Sequence, residues 1–248
     1  MSNLVRSEWI KIRTVRVNYV LSLIAFAFPV IVVGLVALLG KNERNVADDL
    51  VGTVTATMVL TSLLLGVIGA LNLTSEFSHN TIRASFAAAP QRTRVFLAKA
   101  LVTVATTLVL AAVIELATFL VGSVILSGRD AEIVVSGSDK AALAGAVALA
   151  GLLALLGFGL GLLIRHSAAT VAILILWPLL LENIARGVMG AAGIEDQTPW
   201  LPYQSAIIMA NPELSSSDPS RLHGGLYLGG VVLAFIVIGI FVNERRDA

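Results

Sequence analysis

Six long apolar runs constrain the fold of this chain more than any other feature of its sequence. A transmembrane helix needs about 20 apolar residues, rising roughly 1.5 Å each, to cross a hydrocarbon core of roughly 30 Å. Only 13% of the 248 residues are charged, fewer than a soluble surface of this size requires. The sequence predicts an all-α membrane protein, with residues 1–248 forming a single transmembrane domain. The six spans are residues 19–39, 53–73, 95–126, 143–164, 168–189 and 225–242.

The distribution of charge predicts the orientation of this domain. An even number of spans places both termini on one side of the membrane. Eleven of the seventeen basic residues fall on that side, together with only four acids. The positive-inside rule assigns the more basic side to the cytoplasm. We therefore predict a multi-pass protein of a bacterial plasma membrane with both termini in the cytoplasm.

Residues 1–18 precede the first span and carry an apolar pattern of their own. Leu4, Val5, Trp9 and Ile12 recur at helical spacing, with basic residues elsewhere around the helix. This pattern predicts an amphipathic helix lying at the lipid–water interface. The alternative is a solvated cytoplasmic lead-in to the first span. No small-residue cleavage site follows the first apolar run, so we interpret that run as a retained anchor.

The connection between the fifth and sixth spans, residues 190–224, contains the apolar piece "TPWLPYQSAIIMANPE". This piece is too short to cross the membrane, so we expect it to re-enter the membrane or to cap the bundle. Trp200, Pro202 and Tyr203 are the residues that we expect to close the outer side.

Enzyme signatures are missing from the sequence. It contains no HExxH or GxSxG motif, and its three histidines are far apart. The stretch "GLVALLGKN" has five residues between its glycines and lacks the Ser or Thr of a phosphate-binding loop. We predict no catalytic residue, no cofactor or metal site in this chain, and no nucleic-acid partner.

Two acids lie at membrane depth, where an unpaired carboxylate costs several kcal/mol and is a functional candidate by default. For Glu182 we predict an ion pair with Arg186, one helical turn away. Glu115 has no local partner, and it is either a neutral structural acid or a residue of the transport pathway. An ion-coupled secondary transporter that uses Glu115 and Glu182 as proton sites is the alternative function, although the two halves show no inverted repeat.

A charged island, "TSEFSHNTIRASFAAAPQRTRVF" at residues 74–96, separates the second and third spans. Its middle predicts a helix of about two turns, with Ile82 and Phe86 on one face and Pro90 beyond its end. A helix this short is marginal alone in water. Its apolar face therefore predicts a partner, either the membrane surface or another protein.

The island resembles the segment after the second span in permeases of the type-2 ATP-binding cassette (ABC) exporter family. The family pattern is an acid, an aromatic, Gly or Asn, Thr, an aliphatic and a basic residue, followed by Pro, Arg and Lys. Asn80 stands where glycine is commoner. The six spans, the amphipathic start, the insertion before the last span and the "NERRD" ending also match. The matching residues are Glu76, Phe77, Asn80, Thr81, Ile82, Arg83, Pro90, Arg92 and Lys99.

The resemblance implies a permease subunit without ATPase motifs, which exports an unidentified substrate of the drug, lipid or peptide class. It implies a second permease subunit, identical or different, and a separate nucleotide-binding ATPase subunit that holds ATP and Mg. It also implies that the N-terminal helix contacts membrane lipid on the cytoplasmic surface. The residues expected to dock the ATPase subunit are Glu76, Phe77, Thr81, Ile82, Arg83 and Phe86.

Overall fold

The computed structural model of the chain describes residues 2–79, 81–82, 92–211, 213 and 219–246. Across these ranges the regular structure is helical, and no strand occurs in them. Within the described residues, six helices are long and apolar enough to cross a membrane, in agreement with the predicted number of spans. The all-α prediction is therefore correct for the described part of the chain.

The long helices run past the predicted spans at most of their ends. We number the α-helices in chain order, and the fifth span is α7 and α8 joined by a π-helical turn at Trp177–Leu181. Pro178 lies in that turn, where its missing N–H interrupts the regular hydrogen bonding. The six spans are α2 (Arg16–Leu39), α4 (Leu50–Ser78), α5 (Arg92–Ser127), α6 (Gly137–Ile164), α7–α8 (Ser167–Leu176 and Glu182–Ala191) and α10 (Arg221–Arg246).

Shorter helices occupy the connections. α1 (Ser2–Thr14) precedes the first span, and α3 (Glu43–Asp48) joins α2 to α4. Between the fifth and sixth spans, a 3₁₀-helix at Glu195–Trp200 leads into α9 (Pro202–Ile207) and a second 3₁₀ turn at Ile208–Ala210. The apolar piece predicted in this connection is therefore helical. Whether it re-enters a membrane stays a prediction.

Ion pairs and hydrogen bonds identify the two ends of the bundle. At one end Lys99 of α5 contacts Glu8 of α1, and the Thr93 hydroxyl donates to the Glu244 carboxylate of α10. We call this end, where α1 meets the bundle and α10 ends, the terminal side. At the opposite end, the distal side, Arg129 follows α5 and binds Glu43 of α3 at 2.6 Å.

The centre of the bundle is the packing of α4 against α6. In an 18-residue apolar window of each span, 72% of the residues of α4 and 67% of those of α6 are buried, whereas only 17% of those of α10 are. Glycines permit the close approach: a Cβ at Gly69 would lie 2.2 Å from the Ala154 carbonyl oxygen, and one at Gly157 would lie 2.3 Å from that of Gly66. Small residues at helix contacts serve the same purpose in membrane bundles generally. The outer spans present apolar side chains to their surroundings, as lipid contact requires.

Candidate functional site

Four of the docking residues predicted from the sequence, Glu76, Phe77, Thr81 and Ile82, are described, and they lie where α4 ends on the terminal side. Glu76 and Phe77 belong to the last turn of α4, and the Thr81 N–H donates to the Glu76 carbonyl at 3.0 Å. Thr81 is exposed, whereas Ile82 is buried in the core of this chain. Arg83 and Phe86, and with them most of the predicted docking helix, lie outside the described residues. The docking role of this set stays a prediction.

Glu76 takes part in a cluster of four charged side chains, which we call the ion quartet: Glu8, Lys11, Glu76 and Lys99. The Lys99 ammonium lies 2.5 Å from Glu8 Oε2 and 2.6 Å from Glu76 Oε1. Lys11 lies 2.9 Å from Glu8 Oε1 and 3.0 Å from Glu76 Oε1. Only 3% of Lys99 is exposed, so its charge depends on these two carboxylates for solvation. The quartet therefore joins α1 to the end of α4 and the start of α5.

The side chain of Lys11 is the most exposed member of the quartet, at 42%. Burial lowers its pKa, but the hydrogen bonds and negative charges of Glu8 and Glu76 outweigh this effect, so the Lys11 pKa lies above its ordinary value. Lys11 is therefore positively charged at neutral pH.

The N-terminal segment forms the predicted helix, and the quartet fixes which side of it faces the bundle. Glu8 is buried, so this face of α1 contacts protein. Trp9 is exposed, and Leu4, Val5 and Ile12 are half-buried. The contact of these four residues with a membrane surface stays a prediction.

Phe77 contacts the turn between α6 and α7 rather than open solvent. The Arg165 guanidinium lies 5.2 Å from the Phe77 ring centroid, within the range of a cation–π contact. Arg165 also donates to Asn243 Oδ1 from Nε at 2.9 Å and from Nη2 at 2.6 Å. Arg165 has a positive φ of 57°, the left-handed conformation that ends α6 and turns the side chain toward α10. Phe77, α6 and α10 are thus connected on the terminal side.

Glu115 lies in the middle of α5 and is 5% exposed. Its Oε2 atom is buried and has no hydrogen-bond partner among the residues that the structure describes. A buried carboxylate oxygen without a donor is costly unless it is protonated or finds a ligand. The two alternatives from the sequence, a neutral structural acid and a pathway residue, both fit this environment.

The predicted ion pair between Glu182 and Arg186 is wrong. The Glu182 carboxylate instead accepts hydrogen bonds from the Tyr203 N–H at 2.9 Å, the Gln204 N–H at 2.9 Å and Trp177 Nε1 at 2.7 Å. Arg186 is exposed and donates to Asn183 Oδ1 at 2.8 Å. The first N–H groups of a helix have no partners within it, and they attract a carboxylate. Glu182 therefore holds the beginning of α9 against the fifth span.

The three residues expected to close the outer side, Trp200, Pro202 and Tyr203, differ in how they pack against the bundle. Pro202 is the first residue of α9, where a missing N–H costs nothing, and Tyr203 is buried at 5% exposure. Trp200 is exposed, and its ring meets the rings of His223 and Tyr227 edge-on at 5.7 and 6.1 Å. The Tyr227 hydroxyl donates to the Trp200 carbonyl at 2.8 Å. Pro202 and Tyr203 thus pack into the bundle, while Trp200 lies on its surface. Their role as an outer closure stays a prediction.

The six long apolar helices of the described part of the chain indicate a multi-pass membrane protein, with a short apolar insertion fixed to the bundle and a charged terminal side. The model of one protein family, described as ABC-2 family transporter protein, matches residues 4–180. Since this match covers more than half of the chain, the protein belongs to the ABC-2 transporter family and is an ABC permease component. The resemblance seen in the charged island is confirmed. A comparison with curated proteins finds no match.

Several contacts of the site join residues that are far apart in the sequence, so local sequence patterns do not reveal them. The ion quartet joins residues 91 positions apart, and the bond from Tyr203 to Glu182 spans 21. Two signals in the sequence point toward the quartet. Lys99 interrupts an apolar run at the start of a span, and Glu8 is the only acid in the N-terminal helix. A charge in either position requires a partner, although the sequence does not say which one.

Proposed function

We propose that this chain is the transmembrane subunit of an ABC exporter and that ATP hydrolysis in a separate subunit powers it. The observation that carries the proposal is the family match across residues 4–180. In this proposal both termini lie in the cytoplasm of a bacterial cell, and the terminal side faces the ATPase. The excess of basic residues at that end supports this orientation.

The connection between α4 and α5 is the proposed contact with the ATPase subunit. Of the expected docking residues, Thr81 is exposed and available, whereas Glu76, Phe77 and Ile82 pack within this chain. We therefore assign the direct contact to Thr81, Arg83 and Phe86. Glu76 and Phe77 then position the connection, because they attach its first turn to α1, α5 and the α6–α7 turn.

The ion quartet suits this role. A movement of the α4–α5 connection would displace Glu76, because Glu76 lies in the last turn of α4. Glu76 is bound in turn to Lys99 of α5 and to Lys11 of α1. Ionic hydrogen bonds in a buried site resist separation more strongly than neutral ones. In this proposal α1, α4 and α5 move together when the ATPase moves.

A second permease subunit completes the proposed transporter. The exposed apolar faces of the outer spans, including Leu23, Val113 and Leu233, exceed what a soluble protein would leave uncovered. We propose that lipid covers part of this surface and that a second permease subunit covers another part. A drug, a lipid or a peptide is the proposed class of substrate.

The alternative of an ion-coupled secondary transporter has weaker support. A proton site must release and rebind its proton during transport, and Glu182 is held by two backbone donors and one indole. These three bonds fix the carboxylate in place. Of these two acids, Glu115 is the one with a buried oxygen, Oε2, that has no hydrogen-bond partner among the described residues.

Co-expression tests the proposed function. The tagged permease should retain an ATPase subunit through purification in mild detergent, and vesicles holding both should hydrolyse ATP in a permease-dependent manner. Reconstituted permease alone should hydrolyse none. Permease that transports cargo on a proton gradient without any ATPase would establish the secondary-transporter alternative instead.

A further inference from the structure

A cavity of about 810 Å³ lies on the terminal side between α1, the start of α2, the end of α4 and the start of α5. Its volume falls within the range of roughly 300–1,000 Å³ that small-molecule sites occupy. Most of its exposed wall area is apolar. Its polar lining residues include the ion quartet, the pair of Asn18 and Asn72, and the further residues Ser7, Ser75, His79, Thr81, Thr103 and Ser167. The apolar wall consists of Leu4, Ile12, Val15, Val17, Leu71 and Val95.

The apolar wall reaches the part of the chain that enters the membrane. Val15 and Val17, at the junction of α1 and α2, are 42% and 50% exposed. α2 is a membrane span, and the next apolar residues along it, Tyr19 and Val20, are exposed as well. The cavity is therefore accessible from the level at which lipid head groups give way to acyl chains.

The polar end of the cavity contains the ion quartet, from which the Lys11 side chain extends furthest toward the surface. The quartet has two carboxylates and two ammonium groups, but its members are unequally exposed. Side-chain exposure is 42% for Lys11, against 3% for Lys99, 8% for Glu8 and 11% for Glu76. Lys11 is therefore the member of the quartet that a ligand in the cavity can approach most closely, while its ammonium also binds Glu8 and Glu76. Beside it, the Asn18 amide donates to Asn72 Oδ1 at 3.1 Å and adds neutral polar groups to this end.

We propose that this cavity binds a membrane phospholipid with an anionic head group. Its phosphate lies against Lys11, and an acyl chain follows the apolar wall from Ile12 toward Val17. An anionic head group matches the exposed ammonium, whereas a cationic one would meet it with repulsion. A soluble anion would leave the apolar wall in contact with water. The bound lipid would fill the space between α1 and the spans that the quartet holds together.

Single-cysteine labelling tests this site, because the chain contains no cysteine. Ser75 lines the cavity and is half-buried, so Ser75→Cys reports on occupancy. Ala141 is exposed near the beginning of α6 on the distal side, and Ala141→Cys is the control. The full chain, purified and delipidated in detergent, is reacted with a small uncharged maleimide. Phosphatidylglycerol is added as the probe, and diacylglycerol with the same chains and free sodium phosphate are added in parallel.

Phosphatidylglycerol should slow labelling at Ser75→Cys about tenfold when its concentration is ten times its dissociation constant, because only the unoccupied fraction reacts. Labelling at Ala141→Cys should not change. The lack of a saturable effect at Ser75→Cys would overturn the proposal. Equal protection by diacylglycerol would show an apolar cavity without head-group recognition, and equal protection by free phosphate would show an ion site; either result would also overturn it.

Two pairs of variants then test the assigned contact. Lys11→Gln should abolish the protection and Lys11→Arg should retain it. Because Lys11→Gln disturbs the quartet, Ile12→Glu provides a second test: it adds a carboxylate to the wall and removes no ion pair. Ile12→Glu should abolish protection by phosphatidylglycerol, while the uncharged Ile12→Gln should keep most of it. Full protection in both Lys11→Gln and Ile12→Glu would show that the head group lies elsewhere.

Discussion

Lys99 Nζ lies 2.5 Å from Glu8 Oε2, although 91 residues separate the two in the chain. This bond places a charge of the N-terminal helix inside the bundle. A surface helix held by lipid alone would not need it. Because Lys99 is also bound to Glu76, one buried ammonium connects three elements of the terminal side.

The first prediction concerns the stability that this ammonium provides. Lys99→Met leaves Glu8 and Glu76 buried beside each other with only Lys11 between them, so it should destabilise the protein. Removing one partner of a buried pair typically costs about 3–5 kcal/mol. The midpoint of thermal unfolding in detergent measures this loss. Lys140→Met, at an exposed site on the distal side, is the matched control and should leave the midpoint unchanged. Equal midpoints for the two variants would show that the quartet contributes no net stability.

The second prediction tests whether Glu182 is stabilised by the N–H donors of the insertion and Trp177 or by Arg186. Glu182→Ala removes the acceptor for Trp177 Nε1 and for the N–H groups of Tyr203 and Gln204. Each buried donor left without a partner costs about 1–3 kcal/mol, so this variant should unfold at clearly lower temperature. Arg186→Ala should cost within about 0.5 kcal/mol, since Arg186 is exposed and does not bind Glu182. If the two variants lose similar stability, the arginine supports Glu182 after all.

Glu182 also shows why the sequence predicts spans better than partners. A span depends on a run of apolar residues, which can be counted along the chain, and the predicted number of six agrees with the six long apolar helices of the described residues. The i,i+4 rule connects Glu182 only with residues of its own helix, such as Arg186. The actual donors begin a helix 21 residues later, and folding brings them together. Tertiary proximity of this kind leaves no periodic signal.

Helix ends show a second limit of the sequence patterns. The predicted second span stops at residue 73, but α4 continues through Ser78. Hydropathy ends a span where polar residues begin, whereas a helix continues as long as its backbone bonds are satisfied. Glu76 and Phe77 therefore belong to a helix that packs on the bundle. Their side chains contact Lys99 and Arg165 of this chain, which hydropathy alone does not predict.

The third prediction concerns the insertion between the fifth and sixth spans. Ile207 and Ile208 are half-buried, and Ser205 and Ala206 beside them are buried. Cysteines introduced as Ile207→Cys or Ile208→Cys should therefore react slowly with a membrane-impermeant maleimide. Val134→Cys, in a distal loop where Val134 is 70% exposed, should react quickly and serves as the reference. Labelling of all three at the same rate would show a solvated connection.

The fourth prediction concerns Glu115. Glu115→Gln keeps the size of the side chain and removes its ability to ionise, so expression and assembly should remain normal. If Glu115 belongs to the transport pathway, cargo-stimulated ATP hydrolysis by the reconstituted complex should change. The comparison with Glu115→Leu separates the roles, because a purely structural acid would tolerate the amide and suffer from the loss of its polar group. Unchanged transport in Glu115→Gln would assign Glu115 a structural role.

The last prediction concerns the contact between the permease and its proposed ATPase subunit. The sequence places Phe86 and Ile82 on one face of a short helix, and the structure buries Ile82 within this chain. Phe86 is then the apolar side chain that remains to anchor a partner, since helix-in-groove recognition uses apolar residues about one turn apart. Losing an interface hot spot costs about 2 kcal/mol or more, which weakens binding roughly thirtyfold. Phe86→Asp should therefore yield an inserted, folded permease that no longer co-purifies with the ATPase.

Phe86→Leu is the matched control for this variant, because it keeps an apolar anchor of similar reach and should retain the partner. Thermal unfolding of each permease alone establishes that neither change disrupts the fold. A helix that rests only on the membrane surface would also be disturbed by the aspartate, but its loss would leave the complex intact. Retention of the ATPase by Phe86→Asp, with hydrolysis still coupled to transport, would therefore contradict the docking role and favour the membrane-surface alternative.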